Sequence, residues 1–128
     1  MAYPEAWLKA TLEAATTCAA HPRQAPEGYP PPYLVYAREG TERLDLSDAS
    51  GNPSGTFSVS IYADSYSTVK SLAVLAVAAT NNFAGTVDGL NIGLVNVTDE
   101  SDGDPVYLDG RDIPTYVVDL AYSIQWRD

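Results

Sequence analysis

The sequence predicts an α+β domain: a mainly antiparallel β-sheet of about four to five strands with two α-helices packed on one face. Three observations point there. Tyr116, Val118, Leu120, Tyr122, Ile124 and Trp126 form one face of the terminal segment, and Asp119, Ser123 and Gln125 form much of the other. A sustained period of two marks a strand with one side in a core. A second segment repeats the pattern, with Phe57, Val59 and Ile61 opposite Ser58 and Ser60. Two alanine-rich stretches instead space their apolar residues helically, one ahead of the strands and one among them.

The first helix is expected over residues 3–20. Pro4 suits a first helical position and Glu5 favours the positive end of the helix dipole. Leu8, Leu12 and Ala15 share a face, with Ala19 at its edge and Lys9, Glu13 and Thr16 elsewhere. His21-Pro22 ends the helix, because a residue before proline is pushed out of the helical region. Residues 22–32 hold five prolines and read as an extended linker. Tyr33–Ala37, aromatic and β-branched, begins the sheet. Arg38–Gly55 is polar and turn-rich, a long hairpin or loop, and Thr56–Ala63 is the next strand.

Asp64 or Ser65 caps a second helix over residues 65–81, with Val69, Leu72, Ala73, Ala76 and Ala79 inward and Lys70 and Thr80 outward. Asn82-Phe83-Ala84-Gly85 stops it. The Asp88-Gly89 pair then turns the chain into a strand where Leu90, Ile92 and Leu94 face the core. Asp99–Asp104 reads as an acidic turn before the final strand. With no internal repeat, residues 1–128 form one domain.

Composition narrows the function classes. The formal charge is −10 with only seven basic residues, scattered from Lys9 to Arg127. Nucleic-acid affinity comes mainly from neutralising phosphates, so a DNA binder is disfavoured, as is a binder of anionic lipid. No apolar run approaches the roughly 20 residues of a membrane span. The N-terminus lacks the basic and apolar regions of a secretory signal, and Cys18 is the only cysteine. These features point to a soluble intracellular domain.

Catalytic and metal-binding patterns are thin. His21 is the only histidine, so any serine or cysteine triad depends on it. Cys18 and His21 are three apart, but no third group orients them, and a packed thiol beside an exposed imidazole is the preferred reading. Asp99, Glu100, Asp102 and Asp104 with Gly103 resemble an oxygen-rich calcium loop, yet the EF-hand order is not met, and a solvated acidic turn is preferred. Pro30-Pro31-Pro32-Tyr33 matches a WW-domain ligand, but its tyrosine begins a strand. No cofactor and no metal site are expected, and the chain is read as a non-enzyme.

Four stretches together resemble the tail-completion (tail-terminator) proteins of long-tailed bacteriophages. Pro31-Pro32-Tyr33-Leu34-Val35-Tyr36 is similar to the family's first strand after a short N-terminal helix. Phe57–Tyr66 resembles its second strand running into a helix, and Phe83–Leu90 its helix-to-strand turn. Asp99-Glu100, followed by Ile113-Pro114-Thr115-Tyr116, is similar to the loop and last strand of its ending. The resemblance spans nearly the whole chain and departs at Arg38–Gly55 and Ser101–Arg111.

It implies an α+β virion subunit forming a homo-oligomeric ring, usually of six copies, on the last ring of tail tube protein. Such a ring stops tube growth at the neck and docks the head through a head-completion or stopper protein. DNA passes its channel without specific binding, and no membrane is involved. Assembly in the host cytoplasm and residence in the virion follow. Candidate interface or lumen residues are Asp99, Glu100, Asp102, Asp104, Arg38, Glu39, Arg43, Asp45 and Asp48. The alternatives are another head–tail connector component (head-completion, stopper or adaptor protein) or a calcium-binding interaction module.

Overall fold

A computed structural model describes residues 3–26, 29–43, 53–87, 89–108 and 113–127. Helix α1 runs Pro4–Thr16, with proline in its first turn and Glu5 beside it. It ends before residue 20 because Thr17 adopts a left-handed conformation (φ 57°) and donates its N–H to the Glu13 carbonyl. The Glu13 carboxylate then accepts the Ala20 N–H at 3.0 Å, folding the chain back. Ala20–Pro22, expected as helix end and linker, is instead a short strand, β1, parallel to the next. Leu8 and Leu12 are buried as expected, joined by Trp7, whose ring lies 4.7 Å from Phe83.

The remaining strands are β2 (Tyr33–Arg43), β3 (Pro53–Ala63), β4 (Gly85–Val87), β5 (Leu90–Val106) and β6 (Thr115–Arg127). Helix α2, Tyr66–Thr80, lies between β3 and β4. The sheet order is β1-β2-β3-β6-β5-β4, antiparallel throughout except for β1 on β2. The α+β class stands, but the sheet has six strands and is mixed, where four to five antiparallel ones were expected. The two extra strands, β1 and β4, are three residues each, too short for periodicity to reveal.

The largest correction concerns the acidic stretch. Asp99–Asp104 is not a turn; it lies inside the 17-residue β5, paired with β6 from Asp99 opposite Ala121 to Gly103 opposite Val117. Ser101–Val106, part of the expected polar insertion, belongs to the same strand. The regular β6 carries its neighbour along, and three register shifts in β5 absorb the irregular sequence. The first, between Ile92 and Leu94, also corrects the core assignment. It turns Leu94 outward (40% exposed) and puts Val95 (0%) in its place. The expected hairpin exists, but strand extends along both limbs to Arg43 and from Pro53.

Both helices lie on the face carrying Phe57, Val59, Ile61, Val118, Leu120, Tyr122, Ile124 and Trp126, all buried. Ser65 caps α2, accepting the Thr68 N–H at 3.1 Å, and Val69, Leu72, Ala73 and Ala76 fill the space beneath. Thr80 was expected outside yet is fully buried. Its hydroxyl bonds the Ala76 carbonyl (2.7 Å) and the Tyr122 hydroxyl (2.9 Å), so a polar residue sits in the core with its hydrogen-bonding capacity used. Burial of the Tyr122 phenol pushes its pKa up to about 12. Gly89 takes φ +83° in the β4–β5 turn, the left-handed geometry that glycine permits.

Candidate assembly surface

The backbone itself offers the first candidate surface. The flanks of the sheet are incompletely covered. On one side β1 pairs with β2 only at Leu34–Tyr36, and the Arg23 N–H closes that cover on the Tyr36 carbonyl at 2.7 Å. On the other side β4 covers Leu90–Ile92. The turn after α2 extends that cover: Val95 exchanges bonds with Asn82 and Phe83, and the Val97 N–H reaches the Asn81 side chain. Past those points, residues 37–43 of β2 and 98–106 of β5 have no strand on their outer side among the described residues. Such edges are templates for pairing with another chain unless charge, proline or bulges blunt them.

The acidic residues decorate one of these edges without forming a cluster. Successive strand residues point to opposite faces. Glu100 and Asp102, opposite the buried Leu120 and Val118, face the helices, whereas Asp99, opposite Ala121, faces away. Asp102 accepts hydrogen bonds from Lys70 Nζ (2.9 Å) and the Tyr66 hydroxyl (2.7 Å), tying β5 to the first turns of α2. Those two bonds, Lys70's first, hold its carboxyl below the usual carboxylate range, and Lys70 is raised in turn. Asp104 is exposed in the irregular stretch between Gly103 and Val106. A strand presenting carboxylates to two faces is not the oxygen cage that calcium needs.

Arg38 has a different task from the one expected. It projects on the helix side, where its guanidinium lies 4.8 Å from the Trp126 ring centroid and 5.4 Å from that of Phe57. One nitrogen pairs with the Glu5 carboxylate of α1 at 2.6 Å and another donates to Thr41 Oγ1 at 3.0 Å. This residue clamps α1 to the end of the sheet. Glu39, at the register shift between Arg38 and Gly40, accepts a hydrogen bond from Ser58 on the opposite face. Arg43 is opposite Pro53 in the last described pair of β2, and Asp45 and Asp48 lie outside the described residues.

Other groups weighed in the sequence turn out to have packing roles. Tyr33 stacks on Tyr62 (4.8 Å) and meets Tyr29 edge-on (5.8 Å), while His21 meets Tyr29 edge-on at 4.6 Å. The buried Tyr33 is therefore part of the fold's own packing and is not free to serve a WW domain. The Cys18 thiol donates to the Thr16 carbonyl, so it and His21 face different partners. On the helix layer, an open groove of about 510 Å³ is lined by Trp7, Ala10, Ala14, Ala79 and Val87 among others. Val74 and Leu75 are exposed on α2. The aromatic edge joins residues distant in sequence, and no local pattern would have revealed it.

Neither a family model nor any curated protein matches the chain. Solved structures do. One matching chain comes from the virion of a native gene transfer agent particle; it is 16% identical, with a TM-score of 0.60 over 91% of this chain and 84% of its own. A second, which bears only a sequence identifier, is 19% identical, with a TM-score of 0.58 over 97% of this chain and 90% of its own. At such identities the likeness shows a shared fold across nearly the full length of each chain.

Proposed function

We propose that the protein is a virion structural subunit, a tail terminator that forms a ring on the last ring of tail tube protein and joins the tail to the head. The observation that carries this reading is the shared fold, over nine tenths of the chain, with a component of a gene transfer agent virion. Two sheet edges on opposite flanks, without an outer strand among the described residues, support it, because a ring needs two different surfaces on each subunit that fit one another. The protein then works by shape and assembly, without catalysis or a cofactor. About six copies at −10 each give the ring roughly −60 formally. Carboxylates such as Asp99 facing the channel would repel DNA phosphates and let the genome slide.

The test is native mass spectrometry over a concentration series with negative-stain imaging, repeated with purified tail tubes. A closed ring of about six subunits, free or capping a tube, is expected. A defined dimer at every concentration that leaves tubes uncapped would overturn the reading. Binding to DNA-filled heads lacking tails, but not to tubes, would instead identify another connector component. Neutralising Asp99, Glu100, Asp102 and Asp104 together should disturb DNA passage or ring formation; unchanged infectivity and assembly would remove any such role for them.

A further inference from the structure

We infer that the two uncovered edges pair with one another between copies: residues 98–106 of β5 in one subunit add, antiparallel, to residues 37–43 of β2 in the next. The inference rests on the ring reading above and names its contact. Both edges are short of cover for the same reason, a flanking strand of only three residues. On β5, Val95 and Val97 turn their backbone N–H outward. Carried past the register shift between Val97 and Asp99, the antiparallel alternation turns Glu100 and Asp102 outward. On β2, Leu34 and Tyr36 bond outward to the β1 side. Past the shift between Arg38 and Gly40 the same alternation turns Thr41 and Arg43 outward. Up to Gly103 on β5, ahead of Pro105 and the next register shift, and up to Arg43 on β2, each edge thus presents a row of backbone donors and acceptors to a strand that β-addition would supply.

Direction and charge select this pairing over that of β5 with β5. Three antiparallel steps separate β2 from β5, so the two strands run in opposite directions. A neighbour that keeps its helices on the same face therefore meets β5 with an antiparallel β2. Pairing β5 with β5 would set Asp99, Glu100, Asp102 and Asp104 against the same four residues across a strand spacing of about 4.8 Å, which like charges oppose. Residues 37–43 carry Arg38 and Arg43 against Glu39 and Glu42, a formal charge of zero. The acidic run blunts β5 toward its own kind and leaves β2 as the acceptable edge. The two free stretches also sit at opposite ends of the sheet, since Asp99 is level with Ala37 through Ala121 and Ser58. Neighbours are therefore offset along the strands by about six residues, roughly 20 Å, a stagger of the kind a tilted, closed sheet requires.

Glu100→Pro and Thr41→Pro each remove an outward N–H from one edge. Each variant is expected to lose the ring in native mass spectrometry and on tail tubes. Mixed one to one, the two should form a heterodimer through the intact edge each retains, which also shows that both are folded. A wild-type ring that survives both substitutions overturns edge pairing and leaves the ring reading intact. Absence of any wild-type ring, free or on tubes, overturns both. Should the proline variants lose their far-UV circular dichroism, Thr41→Cys combined with Glu100→Cys or Asp102→Cys, in a Cys18→Ser background, replaces them. Oxidation should give a ladder of disulfide-linked oligomers; unlinked monomers from both pairs would refute the contact.

Discussion

The Thr80–Tyr122 pair shows how much a single buried polar contact decides. Thr80 donates to the Ala76 carbonyl, which leaves its oxygen to accept the Tyr122 hydroxyl proton. Thr80→Val therefore strands a buried phenolic donor and should cost about 1–3 kcal/mol in urea unfolding. Tyr122→Phe leaves Thr80 still bonded to Ala76 and should cost less, about 0.5–1.5 kcal/mol. The pH dependence follows from burial. The folded pKa of Tyr122 is raised to about 12 from an ordinary 10, so the unfolded chain loses this proton first. Stability should accordingly fall as pH rises from about 10 to 12, by on the order of 2–3 kcal/mol from this residue. Tyr122→Phe should flatten that decline in alkaline unfolding curves, leaving the smaller contributions of Tyr33, Tyr36 and Tyr62, which burial also raises. An unchanged slope would mean that Tyr122 is not the dominant group.

At the scale of elements, the helices are fixed by a few contacts at their ends. Ser65→Ala removes the side-chain cap of α2 and should lower stability by about 0.5–2 kcal/mol, read from the urea midpoint. Arg38 joins α1 to β2, β3 and β6 through Glu5, Phe57 and Trp126. Arg38→Ala should cost about 1–3 kcal/mol, from a half-exposed ion pair, two cation–π contacts and lost packing. It should leave ring formation intact in the folded variant. Loss of the ring without loss of stability would restore Arg38 to the interface. The sequence placed both helices, β3 and β6 because each carries a sustained period, and the hairpin because its residues are polar and turn-rich. It hid β1, β4 and the far half of β5, where strands were short or the period was broken by bulges. Asp99–Asp104 looked like a turn because polar residues on an exposed edge strand and in a loop have the same composition.

For the whole molecule, charge is the dominant long-range term. Copies at −10 repel, and the repulsion between exposed charges is screened within about 8 Å at physiological ionic strength. Self-association should therefore strengthen as salt rises from low to moderate concentration, measurable by sedimentation velocity. Weakening with salt would indicate an interface held by opposite charges, which the backbone pairing inferred above does not require. The candidate surface was legible only in outline. Acidic residues and a long hairpin stood out in the sequence. Which residues formed free edges depended on where β1 and β4 ended and on how far the turn after α2 reached along β5.

What the sequence determined by itself was the set of local periods and signals: the α+β class, the buried faces of β3 and β6, the cap of α2 and a formal charge of −10. These are properties of neighbouring residues, and neighbours are all that a period records. The tertiary structure decided the rest. It added two short strands, moved the acidic stretch into a paired edge, drew Thr80 into the core and turned Arg38 inward as a clamp. Each of those outcomes depends on a partner distant in the chain: Leu34–Tyr36 for β1, Leu90–Ile92 for β4, Ala121–Val117 for the acidic strand, Tyr122 for Thr80, and Glu5 with Trp126 for Arg38. Contacts of that kind exist only once the sheet has brought its strands together, so no reading of local pattern contains them.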